Sequence, residues 1–254
     1  MKTKVEQSFS DFYEEWMDQL EQHLQNLQKV VSKLDAQDHD HDQDETDQDP
    51  LQALVSTVTA HYKNYYTVKW AAAHEDVLAF YCPVWLSPLE NACSWITDWK
   101  PSMVFRLIES LSKARLQGSN LADLTDEQVK KIEELRVKIR MEEEKVESEM
   151  ERQQMAIADR KMVELSRLAT KIRNGETTYQ IEGLVEVAIK GLLSGLERVM
   201  KAGDCVRLKT LKVVLEILGP LQCVRFLAAM SMLQIQIRKC GKKRAAATTT
   251  TTGE

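Results

Sequence analysis

The sequence predicts an all-α protein, an elongated multi-helix bundle, on three observations. Apolar residues recur every three or four positions almost from end to end. No stretch alternates apolar and polar residues as a half-buried strand does. The breaks between periodic runs carry the chemistry of helix starts and stops.

The elements follow in order. Phe9, Phe12, Tyr13, Trp16, Leu20, Leu24, Leu27, Val31 and Leu34 form one stripe, so the first element is a long amphipathic helix. The stretch AQDHDHDQDETDQD ends it. Residues 35–49 hold seven Asp, one Glu and no Lys or Arg. With nothing apolar to pack, this segment is expected to be a disordered acidic loop. Pro50 opens a second helix, with Leu51, Leu54, Val55, Val58, Tyr62 and Tyr65 on one face, running on towards Val77 and Leu78 until Pro83 stops or kinks it. In Ser87-Pro88-Leu89-Glu90 the serine can cap a helix, the proline suits its first position, and Glu90 reaches back to complete a capping box. Pro101 marks another helix entrance, after which Met103, Val104, Leu107, Ile108 and Leu111 recur at helical spacing.

Thr125 and Gln128 cap a long charged helix expected over residues 125–173. Ile132, Leu135, Ile139, Val146, Met150 and Ile157 form a thin apolar seam along it, a candidate surface for another chain. The seam is no strict zipper, since Glu142 and Glu149 stand where leucine would be needed. Asn174-Gly175 supplies its exit. Helices are then expected over roughly 178–202, 204–218 and 221–239, punctuated by Gly203 and by Gly219-Pro220. Residues 1–240 read as a single helical domain, and residues 241–254 as a basic, threonine-rich disordered tail.

Composition bounds the function. A chain of 254 residues, 43% hydrophobic and 29% charged, is ordinary for a soluble globular protein. No run of about 18 apolar residues exists to span a membrane, and the amino terminus lacks the apolar core of a secretory signal. Five cysteines, an odd number with no CxxC pair, argue against a disulfide framework and a zinc site and favour a reducing compartment, nucleus or cytoplasm. The net charge of −5 is a property of the acidic loop, because the rest of the chain is net positive. Arg238, Lys239, Lys242, Lys243 and Arg244 form a candidate nuclear-import cluster; the plainer reading is a helix end complemented by cations.

Ten of the sixteen Phe, Trp and Tyr residues fall between Tyr62 and Phe105. Tyr62, Tyr65, Trp70, Trp85, Trp95 and Trp99 therefore either fill the core or line a pocket for a hydrophobic ligand. His39 and His41 sit among aspartates, but an unstructured loop does not hold ligands in place, so a solvated spacer is the better reading than a metal site. His61 and His74 have no nucleophile paired with them by spacing. The nine glycines assemble neither GxGxxG nor GxxxxGK[ST], which speaks against a nucleotide-dependent enzyme. Catalytic, metal and cofactor residues are accordingly expected to be none.

Four segments resemble the plant Delay of Germination family, whose domain is shared with the C-terminal half of TGA-type bZIP transcription factors. They are FSDFYEEWMDQL at 9–20, HYKNYYTVKWAA at 61–72, VWLSPLENACSWITDWKPS at 84–102, and LKTLKVVLEILGPLQCVRFLAAMSMLQIQIRK at 208–239. The chain looks nearest to the stand-alone, zipper-less subgroup. The resemblance implies a non-enzymatic regulator of seed dormancy, maturation or abscisic-acid response. It also implies partners such as bZIP factors or protein phosphatases, and an association with sequence-specific DNA binding. That association is expected to be indirect here, since no basic region precedes the first helix. The family's haem binding, attributed to histidines near the C-terminal end, does not transfer, because the last histidine is His74. The alternative is a helical bundle that senses a small hydrophobic ligand, a lipid or haem.

Overall fold

The computed structural model describes residues 2–37, 48–113, 121, 124–172 and 179–251. Nine α-helices are found among them: α1 (Lys4–Gln37), α2 (Gln48–Glu75), α3 (Leu78–Tyr81), α4 (Pro88–Ala92), α5 (Met103–Lys113), α6 (Asp126–Met155), α7 (Arg160–Ile172), α8 (Tyr179–Ile217) and α9 (Pro220–Thr251). The described residues contain no strand, only an isolated bridge between Trp95 and Asp98. The all-α class is therefore confirmed, and α1 alone, at about 1.5 Å per residue, is long enough to make the bundle elongated.

Two groups of helices share one core. α1, α2 and α9 pack on one another, α6 lies along α8 with α7 beside it, and α2 joins the groups by touching α8. The stripe on α1 is buried as its spacing requires: Phe9, Tyr13, Trp16, Leu20, Leu24, Leu27 and Val31 all lie inside. Phe9 meets Phe80 and Trp85 with ring centroids 4.7 Å away in each case, so α3 and the start of the α4 loop are fastened to α1 by rings. Trp16 stacks on His61 at 4.6 Å, donates its indole N–H to the His61 carbonyl, and lies with its own carbonyl 3.1 Å from His61 Nε2. Desolvation in this sandwich, helped by His23, depresses the His61 pKa to about 4.

The helix starts form as the residues dictate. Glu90 N donates to Ser87 Oγ and Ser87 N to Glu90 Oε2, and the same reciprocal pair joins Thr125 and Gln128. After α2, Asp76 accepts from the Leu78 N–H and starts the short α3 before Pro83 is reached.

Four expectations are corrected. The helix over 125–173 is not continuous: it breaks after Met155 into a single 3-10 turn at Ala156–Ala158, and α7 begins anew at Arg160. The seam faces inward, for Ile132, Leu135, Ile139 and Val146 are buried in the chain's own core and Met150 packs against it. Only Ile157, beyond the break, is exposed. The expected pair of helices around Gly203 is one helix, α8. A Cβ at Gly203 would stand 3.3 Å from Arg207 Nη1 and 3.6 Å from Ile96 Cγ2, so the glycine admits a neighbouring turn rather than ending a helix. Finally, α9 runs past Lys239 to Thr251; a Cβ at Gly241 would fall 2.0 Å from Ser87 Oγ, so the backbone there lies directly on the α4 cap. The acidic stretch 38–47, with His39 and His41, falls outside the described residues.

Candidate functional site

The segment between α4 and α5 makes a tight turn in which Trp95 N donates to the Asp98 carbonyl at 2.6 Å and Asp98 N to the Trp95 carbonyl at 3.3 Å. To close it, Ile96 and Thr97 take φ values of 44° and 68°. Both are β-branched, and each residue in this left-handed region costs on the order of 1–3 kcal/mol. The surroundings hold the turn there.

Arg207 of α8 is the main clamp. Its Nε donates to the Trp99 carbonyl at 2.6 Å, Nη2 donates to the carbonyls of Trp95 and Ile96, and Nη1 donates to Asp204 Oδ1 at 2.6 Å. Lys69 of α2 donates to Thr97 Oγ1 at 3.0 Å and to Asp204 Oδ1 at 2.9 Å, while Trp70 Nε1 donates to Asp204 Oδ2 at 3.0 Å. Lys69, Asp204 and Arg207 are all fully buried. Two cations face Asp204 and the nearby Asp98, so the group is neutral and its burial is tolerated. Desolvation pulls the Arg207 pKa down, but Asp98 and Asp204 outweigh it and leave the guanidinium above its ordinary value.

The turn is also tied to α6. Trp95 Nε1 and Lys100 Nζ each donate to Glu147 Oε1 at 2.7 Å, and Ser102 N donates to Glu143 Oε1 at 2.6 Å. Burial raises the Glu143 carboxyl pKa against the opposing Ser102 N–H. A single turn thus reads out the relative positions of α2, α6 and α8. Nothing here resembles a nucleophile with its base, and the polar groups serve one another.

Beside the turn, a cleft with a volume of about 140 Å³ opens between α4, α5 and α9. Of the six candidate aromatics, Tyr65 and Trp99 line it. Tyr62 and Trp85 are core, whereas Trp70 and Trp95 give their indole N–H groups to carboxylates. The candidate import cluster is largely engaged. Arg238 is buried, donating to Glu14 Oε1 at 2.5 Å, Glu90 Oε1 at 3.1 Å and the Trp85 carbonyl; Lys239 pairs with Glu21 and Lys242 with Glu14. Lys243 and Arg244 are exposed. His74 is exposed and approaches Glu197 at 3.4 Å. Among the described residues no group of three His, Cys, Asp or Glu is arranged to hold a metal ion, and no helix is long and apolar enough to cross a membrane.

Sequence reasoning missed Lys69, Asp204 and Arg207. One signal was present: Lys69 falls three and four positions after Tyr66 and Tyr65, on the buried face of α2. Apolar surface also reaches solvent beyond the buried part of the seam. Leu184, Val187 and Ile189 in the first half of α8 are exposed, as are Met155, Ile157 and Val163 before it.

A family model described as seed dormancy control (DOG1) matches residues 16–110, which include the turn. Protein DOG1-like 4 of Arabidopsis thaliana is 51% identical over 244 residues, covering 96% of each chain. Protein RESPONSE TO ABA AND SALT 1 of the same plant is 29% identical, covering 96% of this chain and 99% of that one. Transcription factor TGA5, also from Arabidopsis thaliana, is 26% identical over 188 residues, which are 74% of this chain and 53% of the factor.

Proposed function

Taking as premise that the chain belongs to the seed dormancy control (DOG1) family, we propose that it is a non-enzymatic regulator in dormancy or abscisic-acid response that acts by docking on other proteins. The observation that carries this reading is the relationship over nearly the full length to DOG1-like 4, supported by the names of the RESPONSE TO ABA AND SALT 1 and TGA relatives. Its action is on transcription, in the nucleus, with DNA engaged through a partner. The partner to which the reading commits is a TGA-type bZIP factor, with protein phosphatases as the other class implied by the family.

The docking surface is placed on the first half of α8, where Leu184, Val187 and Ile189 face solvent. Leu184 and Val187 lie one turn apart on the same face of the helix, and exposed aliphatic groups that gather on one face mark interaction sites. The seam on α6 is a poorer choice, since its aliphatic groups already fill the core.

The test is an electrophoretic shift with a TGA-site duplex. The purified chain alone is expected to leave the duplex unshifted, and to retard it further once TGA5 is bound. A shift by the chain alone, or no effect on the TGA5 complex or on any bZIP or phosphatase partner in a binding assay, would overturn the reading.

A further inference from the structure

The cleft beside the strained turn has the features of a ligand site, and they stand independently of the docking reading. One wall is apolar, made by Leu86, Trp99, Met103, Leu107, Leu233 and Ile237. The other is polar and includes Tyr65, Thr97 and Asp98. Tyr65 is only 9% exposed, yet its hydroxyl has no hydrogen-bond partner among the described residues. A hydroxyl that meets a cleft in this way can take a hydrogen bond from water or from a ligand there.

Asp98 has acceptor capacity to spare as well. Its Oδ1 takes the Trp99 N–H at 2.8 Å, but Oδ2 lies 3.8 Å from Lys69 Nζ, beyond hydrogen-bond reach. The nearby cations are already engaged, Lys69 with Asp204, Thr97 and, at 3.8 Å, Asp98 itself, and Arg238 with Glu90 and Glu14. The cleft lining holds two carboxylates, Glu90 and Asp98, each already facing a cation, and no Lys or Arg, so an anion finds no charged donor there. Burial keeps the Tyr65 phenol protonated at neutral pH, so no charge arises there. The left-handed Thr97 and its neighbour Asp98 belong to the strained turn, and strain of this kind gathers at ligand-holding positions.

We infer that this cleft binds a small apolar molecule whose polar end donates hydrogen bonds, an alcohol or a protonated amine, with the donor on Asp98 and Tyr65 and the body against Trp99 and Leu233. A cavity of about 140 Å³ suits a body of roughly one ring and a short chain, since a cavity of about 150 Å³ accepts benzene. A carboxylic acid of the same shape is rejected.

Three probes of one shape distinguish the cases: 3-phenylpropan-1-ol, 3-phenylpropan-1-amine and 3-phenylpropanoate, titrated into the full chain while indole fluorescence and calorimetric heat are followed. The alcohol and the amine are expected to bind saturably, and the propanoate at least about ten-fold more weakly. Asp98→Asn should weaken the amine about ten-fold more than the alcohol, and Tyr65→Phe should weaken both. Leu233 is 41% exposed, so Leu233→Trp should fold normally, fill the mouth and abolish binding of every probe; this variant decides the matter if Asp98→Asn fails to fold. Equal or tighter binding of the propanoate, saturable binding unaffected by Leu233→Trp, or no saturable binding by the alcohol or the amine would overturn the assignment.

Discussion

The two halves of α8 invert the ordinary distribution of side chains. Its first half sends Leu184, Val187 and Ile189 into solvent, while its second half buries Asp204 and Arg207 completely. One continuous helix does both because its neighbours differ. In the second half the carbonyls of Trp95, Ile96 and Trp99 arrive, of which Trp95 has besides only the 3.3 Å bond from the Asp98 N–H, and a buried guanidinium meets all three. In the first half no such backbone arrives among the described residues, and Leu184, Val187 and Ile189 are exposed. Burial therefore follows what comes to meet a helix, and hydropathy alone misplaces both halves.

Substitutions on either side of Gly203 test this contrast. The largest effect is expected for Arg207→Met, which takes one of its two cations from Asp204 and the guanidinium donor from three carbonyls. Loss of about 3–5 kcal/mol, read as the urea midpoint, is predicted, and a loss below about 1 kcal/mol would show that the clamp does not hold the turn. Gly203→Ala should come next. The added methyl meets Arg207 Nη1 at 3.3 Å, and that side chain, held by four hydrogen-bond partners, has no room to move. A loss of roughly 1–2 kcal/mol is expected in spite of the gain in helix propensity.

A buried polar group without a charged partner offers a third comparison. The His61 pKa is lowered to about 4 from 6.5, so the unfolded chain binds the extra proton as pH falls through 6.5 and stability declines until about pH 4. Between pH 6.5 and 5.5 this contributes a loss of about 1 kcal/mol by chemical denaturation. The slope should flatten in His61→Gln, and an unchanged slope would remove His61 as its source.

Gly191→Ala should have the opposite sign to Gly203→Ala, since nothing lies within 4 Å of the new methyl. A gain of about 0.5–1 kcal/mol is predicted in the same unfolding assay. The smallest stability effect belongs to Val187→Asp. Val187 is 68% exposed, so the change should stay within about 0.5 kcal/mol while TGA5 capture falls.

Much of the helix plan was legible. The α1 stripe and the capping boxes at Ser87 and Thr125 are local features, and local chemistry decided them, whereas the second helix ends at Glu75 rather than running on to Pro83. What was illegible was tertiary. Gly203 carries the signature of a helix end, yet the approach of Ile96 and Trp95 gives it another purpose. The seam from Ile132 to Val146 has the spacing of a partner face, and no pattern in one sequence tells whether the partner is α8 or a second protein. At the candidate site, Trp99 and Tyr65 were named as pocket aromatics, but the strained turn and its clamp needed three separate segments to meet. Charged residues on helices are usually solvated, so Asp204 and Arg207 gave no warning beyond their apolar setting.

Hydrogen exchange on the chain, free and bound to TGA5, tests the central claim most directly. Added protection over residues 183–197, with the core stretch 132–146 of α6 unchanged because it is already closed, is the predicted result. Protection confined to α6, or none anywhere on binding, would contradict it.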